Sequence, residues 1–212
     1  MKQLYKVCCL MVRTLDKLFI ISFIVLSMID DGGLTADVKA SYSFVSSNLP
    51  IILIDTRGYP IQDAIRIPAL MEVKYHADGS RNDLNQENDF EGRINIEIRG
   101  SSSAYFDKKS FGFETQDAKG ENLNVPLLDL PAENDWILYG PYSDKSLLRN
   151  AITFYLARKM GRYASRTRFC EVVFNGEYLG LYMLMEKIKR DKNRVNISQL
   201  TPEVVDGDDL TG

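Results

Sequence analysis

The sequence predicts an α+β protein with a mainly antiparallel sheet and one principal helix. Apolar and polar residues alternate strictly over 93–99, which is typical of a strand with one buried face. The pair Asn175-Gly176 separates two apolar runs and is the strongest short signal for a β-hairpin. Apolar residues recur at helical spacing between 143 and 161. Strands, one helix and a closing hairpin together favour an α+β arrangement.

The composition excludes several classes of function. The 212 residues are 45% hydrophobic and 26% charged, with a formal net charge of -3, so the chain has no global attraction to nucleic acid. One histidine and three cysteines are too few for a zinc centre and indicate no disulfide framework. Cys170 lies in an apolar strand pattern, and we predict that it is a small buried side chain and not a nucleophile.

The amino-terminal segment differs from the rest of the chain. An apolar run at 18–28 follows several basic residues and precedes a polar stretch. The run is shorter than the roughly 20 residues that span a bilayer, but it matches the apolar region of a secretory signal. We predict that residues 1–40 are a leader, either a signal peptide or an amino-terminal anchor. The alternative is a mobile or buried amino-terminal helix.

The strand signals follow one another along the chain. Short apolar bursts or alternating segments predict strands at 51–54, 67–75, 93–99, 110–114 and 135–141. Residues 76–92 and 115–134 are rich in polar and turn-forming residues, so we predict connections there. The strand at 110–114 is expected to return from 93–99 as a hairpin, because both strands alternate around a polar connection.

The helix is predicted from its ends as well as from its period. Ser143 is a favourable N-cap, Asp144 suits the positive end of the helix, and Gly161 ends the apolar pattern. The predicted helix has about 17 residues and is about 25 Å long.

The connection after the third predicted strand has the composition of an anion-binding loop. The sequence "RGSSS" supplies Arg99, a glycine that allows close backbone approach, and the hydroxyls of Ser101, Ser102 and Ser103, and the return strand begins with Lys108 and Lys109. Phosphate is held by hydroxyl and backbone donors together with cationic side chains. The stretch matches neither a Walker loop nor a G-x-G-x-x-G loop. The alternative is a solvated serine-rich turn.

Other charged stretches have simpler explanations. Arg149 near the helix start could face the same phosphates or pair with a surface carboxylate. The basic run 186–195 contains acidic partners and no aromatic residue, so we expect a solvated, salt-bridged connection and no nucleic-acid partner. The acidic segments 88–90 and 206–210 do not match a calcium loop and are expected to be solvated turns without a metal.

Several of these motifs occur together in an order that resembles one family. The segments "IEIRGSSSAYFDKKSFGFET", "NVPLLDLPAENDWILYGPYSDKSLLRN" and "RFCEVVFNGEYLGLYMLMEKIKRDKNRVNI" follow the earlier "SNLPIILIDT". Together they resemble the CotH (spore-coat protein H) family of atypical protein kinases over about residues 47–197. The resemblance implies a distantly kinase-like fold that binds ATP with Mg²⁺ and phosphorylates protein hydroxyls. It also implies a secreted, cell-surface or spore-coat location.

The resemblance implies a role for each matched residue. "RGSSS" becomes the loop over the nucleotide phosphates, and either Lys108 or Lys109 pairs with a phosphate. We take Lys109 as the catalytic lysine because it adjoins the strand of Phe111 and Phe113. The helix from Asp144 corresponds to the regulatory helix of a kinase small lobe, and backbone groups near Glu186 and Ile188 are expected to meet adenine. The expected nucleotide-binding residues are Arg99, Ser101, Ser102, Ser103, Lys108, Arg149, Glu186 and Ile188.

The chain departs from the family pattern at its carboxyl end. Phosphoryl transfer needs carboxylates that hold Mg²⁺, and kinase-like folds carry them in a downstream large lobe. Residues after 197 do not supply them, so we expect 41–200 to be a small-lobe region and 201–212 to be a tail before a missing catalytic half. The expected partners are ATP and a protein substrate, and a membrane if the leader is an anchor. The alternatives are a non-catalytic surface or coat-assembly module and a fragment that does not fold alone.

Overall fold

The computed structural model describes residues 44–199. The predicted leader and the predicted tail at 201–212 lie outside the described residues. The described part contains eleven strands, one 3₁₀ helix at Ser102–Tyr105 and one α-helix. These elements are β1 (Ser46–Ser47), β2 (Ile51–Asp55), β3 (Ile67–Lys74), β4 (Asn82–Asp83), β5 (Phe90–Arg99), β6 (Ser110–Gln116), β7 (Val125–Leu127), β8 (Leu130–Glu133), β9 (Asp135–Tyr139), α1 (Arg149–Lys159), β10 (Thr167–Phe174) and β11 (Glu177–Glu186).

Seven strands close into a barrel in the order β10-β11-β9-β6-β5-β3-β2. Neighbouring strands pair antiparallel around the barrel, except that β2 and β10 pair parallel. The predicted strands at 51–54, 67–75, 93–99, 110–114 and 135–141 correspond to β2, β3, β5, β6 and β9, and the Asn175-Gly176 hairpin joins β10 to β11.

The predicted α+β fold resembling a kinase small lobe is wrong. The described residues are mainly β-structure around a closed barrel, and α1 is the single α-helix among them. The barrel closes because Ile51 of β2 pairs with Glu171 of β10, 120 positions later in the chain. Alternation along a segment predicts a strand and its nearest hairpin partner, but it carries no information about such a distant pairing.

The barrel interior is filled by alternate residues of all seven strands. The fully or nearly fully buried side chains of this core are Ile52, Ile54, Met71, Val73, Ile94, Ile96, Phe111, Phe113, Trp136, Leu138, Cys170, Val172, Tyr182 and Leu184. The predicted burial of Cys170 is confirmed, because the residue is 0% exposed, and this burial raises the pKa of its thiol to about 12. A raised pKa disfavours the thiolate, which is the nucleophilic form.

α1 packs on the outside of the barrel. Its Ala151 and Phe154 contact a second apolar cluster formed by Ile137, Met183 and Met185 on the outer faces of β9 and β11. In the described part of the chain, no helix has the length and apolar character needed to cross a membrane.

The helix starts later than the sequence pattern indicates. α1 has 11 residues, because Leu147 has a φ of 60° and interrupts the helical backbone. Ser143 does not cap it. Instead, the Asp144 carboxylate accepts hydrogen bonds from the backbone amides of Ser146 (3.0 Å) and Arg149 (2.9 Å). Asp144 therefore lies at the amino end of the helix, as predicted, but in the loop that precedes it.

A small hairpin interrupts the predicted connection at 115–134. β7 and β8 pair antiparallel around Leu128 and Asp129, which both have positive φ values. Leu127, Leu128 and Leu130 are buried and join the barrel core. Their apolar run is too short to distinguish a strand from a buried turn by its period.

Asn175 ties the β10–β11 turn to the end of β2. Its backbone amide donates to the Ile54 carbonyl (2.8 Å), and its side-chain oxygen accepts from the Thr56 amide (2.9 Å). Asn175 also has a φ of 48°, a left-handed conformation that asparagine tolerates better than alanine does. The residue thus supports both the turn and the parallel pair that closes the barrel.

Replacing Asn175 with glycine should lower the free energy of unfolding by about 1–3 kcal/mol, because the buried Thr56 amide loses its acceptor. Replacing it with alanine should cost about 1 kcal/mol more, because alanine is strained at positive φ. Urea unfolding of both variants measures the two effects separately. A glycine variant as stable as the parent protein would show that the Thr56 contact contributes nothing.

Candidate functional site

The serine loop connects β5 to β6 at one end of the barrel. β5 ends at Arg99, and Gly100 follows with a φ of 125°. A side chain at Gly100 would collide with the Ser103 hydroxyl, so glycine is required there. Ser102–Tyr105 form a single 3₁₀ turn, in which Ser102 is exposed and Ser103 is partly buried. The hydroxyls of the loop are therefore carried by a defined turn at the barrel rim.

The two consecutive lysines after this loop make different contacts. The Lys109 ammonium donates a 2.9 Å hydrogen bond to the Ala104 carbonyl, so it braces the 3₁₀ turn. The Lys108 ammonium donates a 2.9 Å hydrogen bond to the Leu179 carbonyl and lies 4.3 Å from the centroid of the Tyr182 ring. Lys108 therefore points to the mouth of the barrel, and Lys109 points back into its own loop.

Among the described residues, Lys108 is a half-buried cation without a close counter-charge. No carboxylate of residues 44–199 lies within 4.0 Å of its nitrogen. Burial lowers the pKa of Lys108 below its usual value, and the negative charge of the more distant Glu171 offsets this effect only in part. An ammonium has three donors, and the Leu179 carbonyl takes one of them. The remaining donors and the uncompensated charge can serve an anion.

Residues 139–144 meet the serine loop at the same end of the barrel. The Gly140 amide donates to the Ser110 hydroxyl (3.0 Å), and a side chain at Gly140 would come within 2.6 Å of the Lys109 carbonyl oxygen. The Tyr142 ring stacks on Phe106 with 5.1 Å between centroids. We call residues 99–109 together with 139–144 the serine-loop end.

Arg149 begins α1 beside this end. Its guanidinium lies 3.5 Å from the buried carboxylate of Asp144, and its side chain is 76% exposed. An exposed pair of this kind contributes little to stability, so the guanidinium is free to move to another anion. Arg99, the last residue of β5, is exposed on the outside of the barrel, where its Cδ would be 3.7 Å from a side chain added at Gly112.

The predicted adenine-contact residues lie at the opposite end of β11. Gly180, beside Lys108, and Glu186 are six positions apart, which corresponds to about 20 Å along a strand. Glu186 is fully buried, and its backbone amide already donates to the Arg166 carbonyl (3.2 Å). Ile188 is 65% exposed. Contacts therefore link the serine loop, both lysines and residues 140–142, whereas Arg149 contacts Asp144, and Glu186 and Ile188 lie at the other end of β11.

A buried ionic network holds the chain after β11 against the barrel. We call residues 187–199 the strap. Glu186 pairs with the Arg166 guanidinium (2.7 Å) and faces the Nε of Arg194 (3.6 Å). Arg194 donates to the carbonyls of Lys187 (3.2 Å) and Asp135 (3.4 Å) and lies over the Trp136 ring. The side chain of Glu186 is thus part of the support for the strap.

Asp135 anchors the same strap from β9. Its carboxylate accepts hydrogen bonds from Lys187 (2.9 Å) and Lys189 (2.7 Å), and Lys189 also donates to Glu133 (3.0 Å). Burial would raise the pKa of Asp135, but the hydrogen bonds from Lys189 and Lys187 outweigh it and lower the pKa to about 2. The folded protein therefore favours the charged carboxylate.

We expect the free energy of unfolding to fall as the pH decreases from about 4 to about 2. An aspartate in the unfolded chain has a pKa near 3.8, so the unfolded state binds more protons than the folded state in this window. Urea unfolding between pH 2.5 and 7 should show a smaller loss for Asp135→Asn than for the parent protein. Asp63→Asn, at an exposed position, is the control and should keep the parent slope. Equal slopes for all three proteins would contradict this role of Asp135.

Sequence reasoning missed Gly140 and Tyr182. Tyr182 supplies the ring beneath the Lys108 ammonium, and Gly140 leaves room for the lysine backbone. The dipeptide Gly140-Pro141 at the end of a strand is a recognisable turn signal and could have indicated a close approach there. Tyr182 looks like any other core residue of an alternating strand, so only the fold reveals its position beside Lys108.

One family model matches this chain. It is described as "CotH kinase protein" and matches residues 96–211, more than half of the sequence. The match includes the serine loop, both lysines, α1 and the strap. A search of the curated proteins found no match.

Proposed function

The chain belongs to the CotH kinase protein family, and we propose that it is the nucleotide-binding part of an enzyme that phosphorylates protein hydroxyls. The proposed reaction breaks the bond between the γ-phosphorus of ATP and its bridging oxygen. It forms a bond to the oxygen of a serine or threonine and releases the hydroxyl proton. The proposed acceptors are secreted, surface or spore-coat proteins, as the resemblance to the family implies.

The observation that carries the proposal is the half-buried Lys108 ammonium. Phosphoryl transfer depends mainly on positioning and on positive charge near the phosphate oxygens. Lys108 supplies such a charge beside a loop of exposed hydroxyls and a glycine with positive φ, and no described carboxylate neutralises it. A phosphate group bound there would replace the counter-charge that the fold does not provide.

Lys108 is the better candidate for the phosphate contact, and Lys109 is the better candidate for holding the serine loop in place. The Lys109 ammonium is engaged with the Ala104 carbonyl inside the loop. A lysine that braces the loop positions the hydroxyls and does not need to touch the nucleotide. The earlier choice of Lys109 as the catalytic lysine stays a prediction, and the two lysines can be separated by experiment.

The described residues do not fit a complete magnesium site. Residues 44–199 contain no group of three or more His, Cys, Asp or Glu side chains that could hold a metal ion. We therefore assign no step to a metal held by these residues. For the described residues, the proposal is limited to binding of the nucleotide phosphates.

Isothermal titration calorimetry of the full 212-residue chain with ATP tests the proposal. We expect binding in the micromolar range, which corresponds to about -8 kcal/mol. Lys108→Gln should weaken binding at least tenfold, whereas Lys109→Gln should weaken it less. An unmodified chain that gives no heat of binding, although circular dichroism shows it folded, would overturn the proposal. That result would favour the alternative, a non-catalytic surface or coat-assembly module.

A further inference from the structure

α1 is apolar on the side that faces away from the barrel as well as on the side that packs against it. Ala151 and Phe154 contact the barrel. On the outer side, five large apolar side chains are between 46% and 78% exposed: Leu148, Ile152, Tyr155, Leu156 and Met160. Helices that are apolar on both sides are normally buried between two layers of structure. We call these five residues the outer face of α1.

The chain segment that carries the outer face has only basic charged side chains, of which Arg149 and Arg166 pair with Asp144 and Glu186. Residues 145–170 contain no aspartate or glutamate. They contain seven basic residues: Lys145, Arg149, Arg158, Lys159, Arg162, Arg166 and Arg168. The nearest preceding carboxylate, Asp144, is buried in its contacts with the helix start. A partner for this face should therefore combine apolar side chains with negative charge.

The chain itself contains a segment with that chemistry. Residues 200–212 include four acidic residues and no basic ones. Their apolar residues are interspersed among the acidic ones, and the full set of both kinds is Leu200, Glu203, Val204, Val205, Asp206, Asp208, Asp209 and Leu210. We propose that residues 200–212 bind the outer face of α1 in the same molecule.

The position of the strap makes this contact reachable. Arg166, which follows α1 at its carboxyl end, donates to the Asn193 carbonyl in the strap, and Arg190 of the strap donates to Gln199 (2.8 Å). Residue 200 therefore follows a strap that is fixed near the carboxyl end of α1. Thirteen extended residues reach up to about 43 Å, whereas the 11 residues of α1 extend over about 16 Å.

Disulfide trapping in the full chain tests the proposal. Cys8 and Cys9 are replaced by serine, buried Cys170 is kept, and new cysteines are introduced by Ile152→Cys and Val205→Cys. The matched control pairs Val205→Cys with Ser80→Cys, an exposed position after β3 on another side of the barrel. We expect the intramolecular disulfide to form about tenfold faster in the α1 pair, because docking raises the effective concentration of one thiol near the other.

A second measurement leaves the outer face unchanged. Hydroxyl-radical footprinting of Tyr155 and Met160 compares the otherwise native chain with one that carries Asp206→Lys, Asp208→Lys and Asp209→Lys. We expect oxidation of both residues to increase several-fold in the charge-reversed chain, and 0.5 M NaCl to have the same effect on the native chain through screening.

Four results would overturn the proposal. Equal trapping rates for the two cysteine pairs, or unchanged footprints after charge reversal, would show that residues 200–212 do not cover the face. Predominantly intermolecular disulfides would assign the face to a second copy of the chain. Protection of Met160 that appears only on addition of vesicles containing phosphatidylserine would assign it to an anionic lipid surface.

Discussion

Replacing Arg194 with alanine is expected to lower the free energy of unfolding by about 3–5 kcal/mol, because a large buried side chain, its two hydrogen bonds and one cationic neighbour of Glu186 are lost together. The Arg194 side chain is 0% exposed, and it connects Glu186 and the Asp135 carbonyl to the strap. Its removal takes away both carbonyl contacts and the packing over Trp136. Urea unfolding followed by tryptophan fluorescence measures the change, because Trp136 is the single tryptophan of the chain.

Two control variants separate the charge from the packing. Arg194→Met keeps an apolar side chain over Trp136, so it should cost less than alanine does, and both variants leave Glu186 paired with Arg166. Arg166→Ala removes a partner that is 34% exposed and should cost less than Arg194→Ala. If Arg194→Ala unfolds within 1 kcal/mol of the parent protein, the network does not stabilise the fold as described.

Replacing Lys108 with methionine is expected to abolish ATP binding while changing the free energy of unfolding by less than about 1 kcal/mol. Two effects oppose each other. Burial lowers the pKa of Lys108, so the folded state disfavours the charged lysine relative to water, but methionine loses the hydrogen bond to the Leu179 carbonyl. Methionine preserves the apolar contact with Tyr182 and removes the charge. A loss of binding without a matching loss of stability is typical of a residue retained for function.

The pH dependence gives an independent measurement of the same effect. Because the pKa of Lys108 is lower when folded, the unfolded state binds more protons between that pKa and the usual value of 10.5. This contribution increases the stability of the parent protein as the pH rises through that window, and Lys108→Met should lack it. In thermal unfolding at pH 7, ATP should stabilise the parent protein and not the variant.

Lys109→Met is the matched control. It removes the hydrogen bond to the Ala104 carbonyl, so it should destabilise the protein by about 1 kcal/mol. We expect its effect on ATP binding to be smaller than that of Lys108→Met. If both variants lose the same stability and retain ATP binding, the assignment of Lys108 to the phosphate contact is wrong.

Local patterns predicted the strands well but not their closure. The alternation at 93–99 and 110–114 and the Asn175-Gly176 turn each depend on neighbouring residues, and the structure confirms both hairpins. The α+β prediction failed because the pairing of β2 with β10 depends on residues 120 positions apart. The prediction of helix length was wrong for a related reason. Leu147 has a left-handed backbone, and the Asp144 carboxylate holds the preceding loop by accepting a hydrogen bond from the Arg149 amide, so the helix starts later than the apolar period indicates.

Residues that are close together in the chain also account for the part of the candidate site that the sequence indicates. The serine loop and the two lysines are contiguous in sequence, so their proximity could be inferred without the fold. Which lysine faces the barrel mouth could not be inferred, because Tyr182 and the Leu179 carbonyl come from β11, about 70 residues away. The separation of Glu186 and Ile188 from the serine loop could not be predicted either, because it depends on the register between neighbouring strands of the barrel.

Local sequence patterns were enough to predict the seven barrel strands, the two hairpin turns, the cation-rich serine loop and the family to which the chain belongs. These features are encoded by residues close together in the chain, where side-chain period and turn chemistry act. Three properties depend on the packed fold: the sheet closes into a barrel, Lys108 has no described counter-charge, and Glu186 lies in the network that fixes the strap. Burial and pairing between distant segments set these properties, because desolvation and ion pairing depend on the packed surroundings.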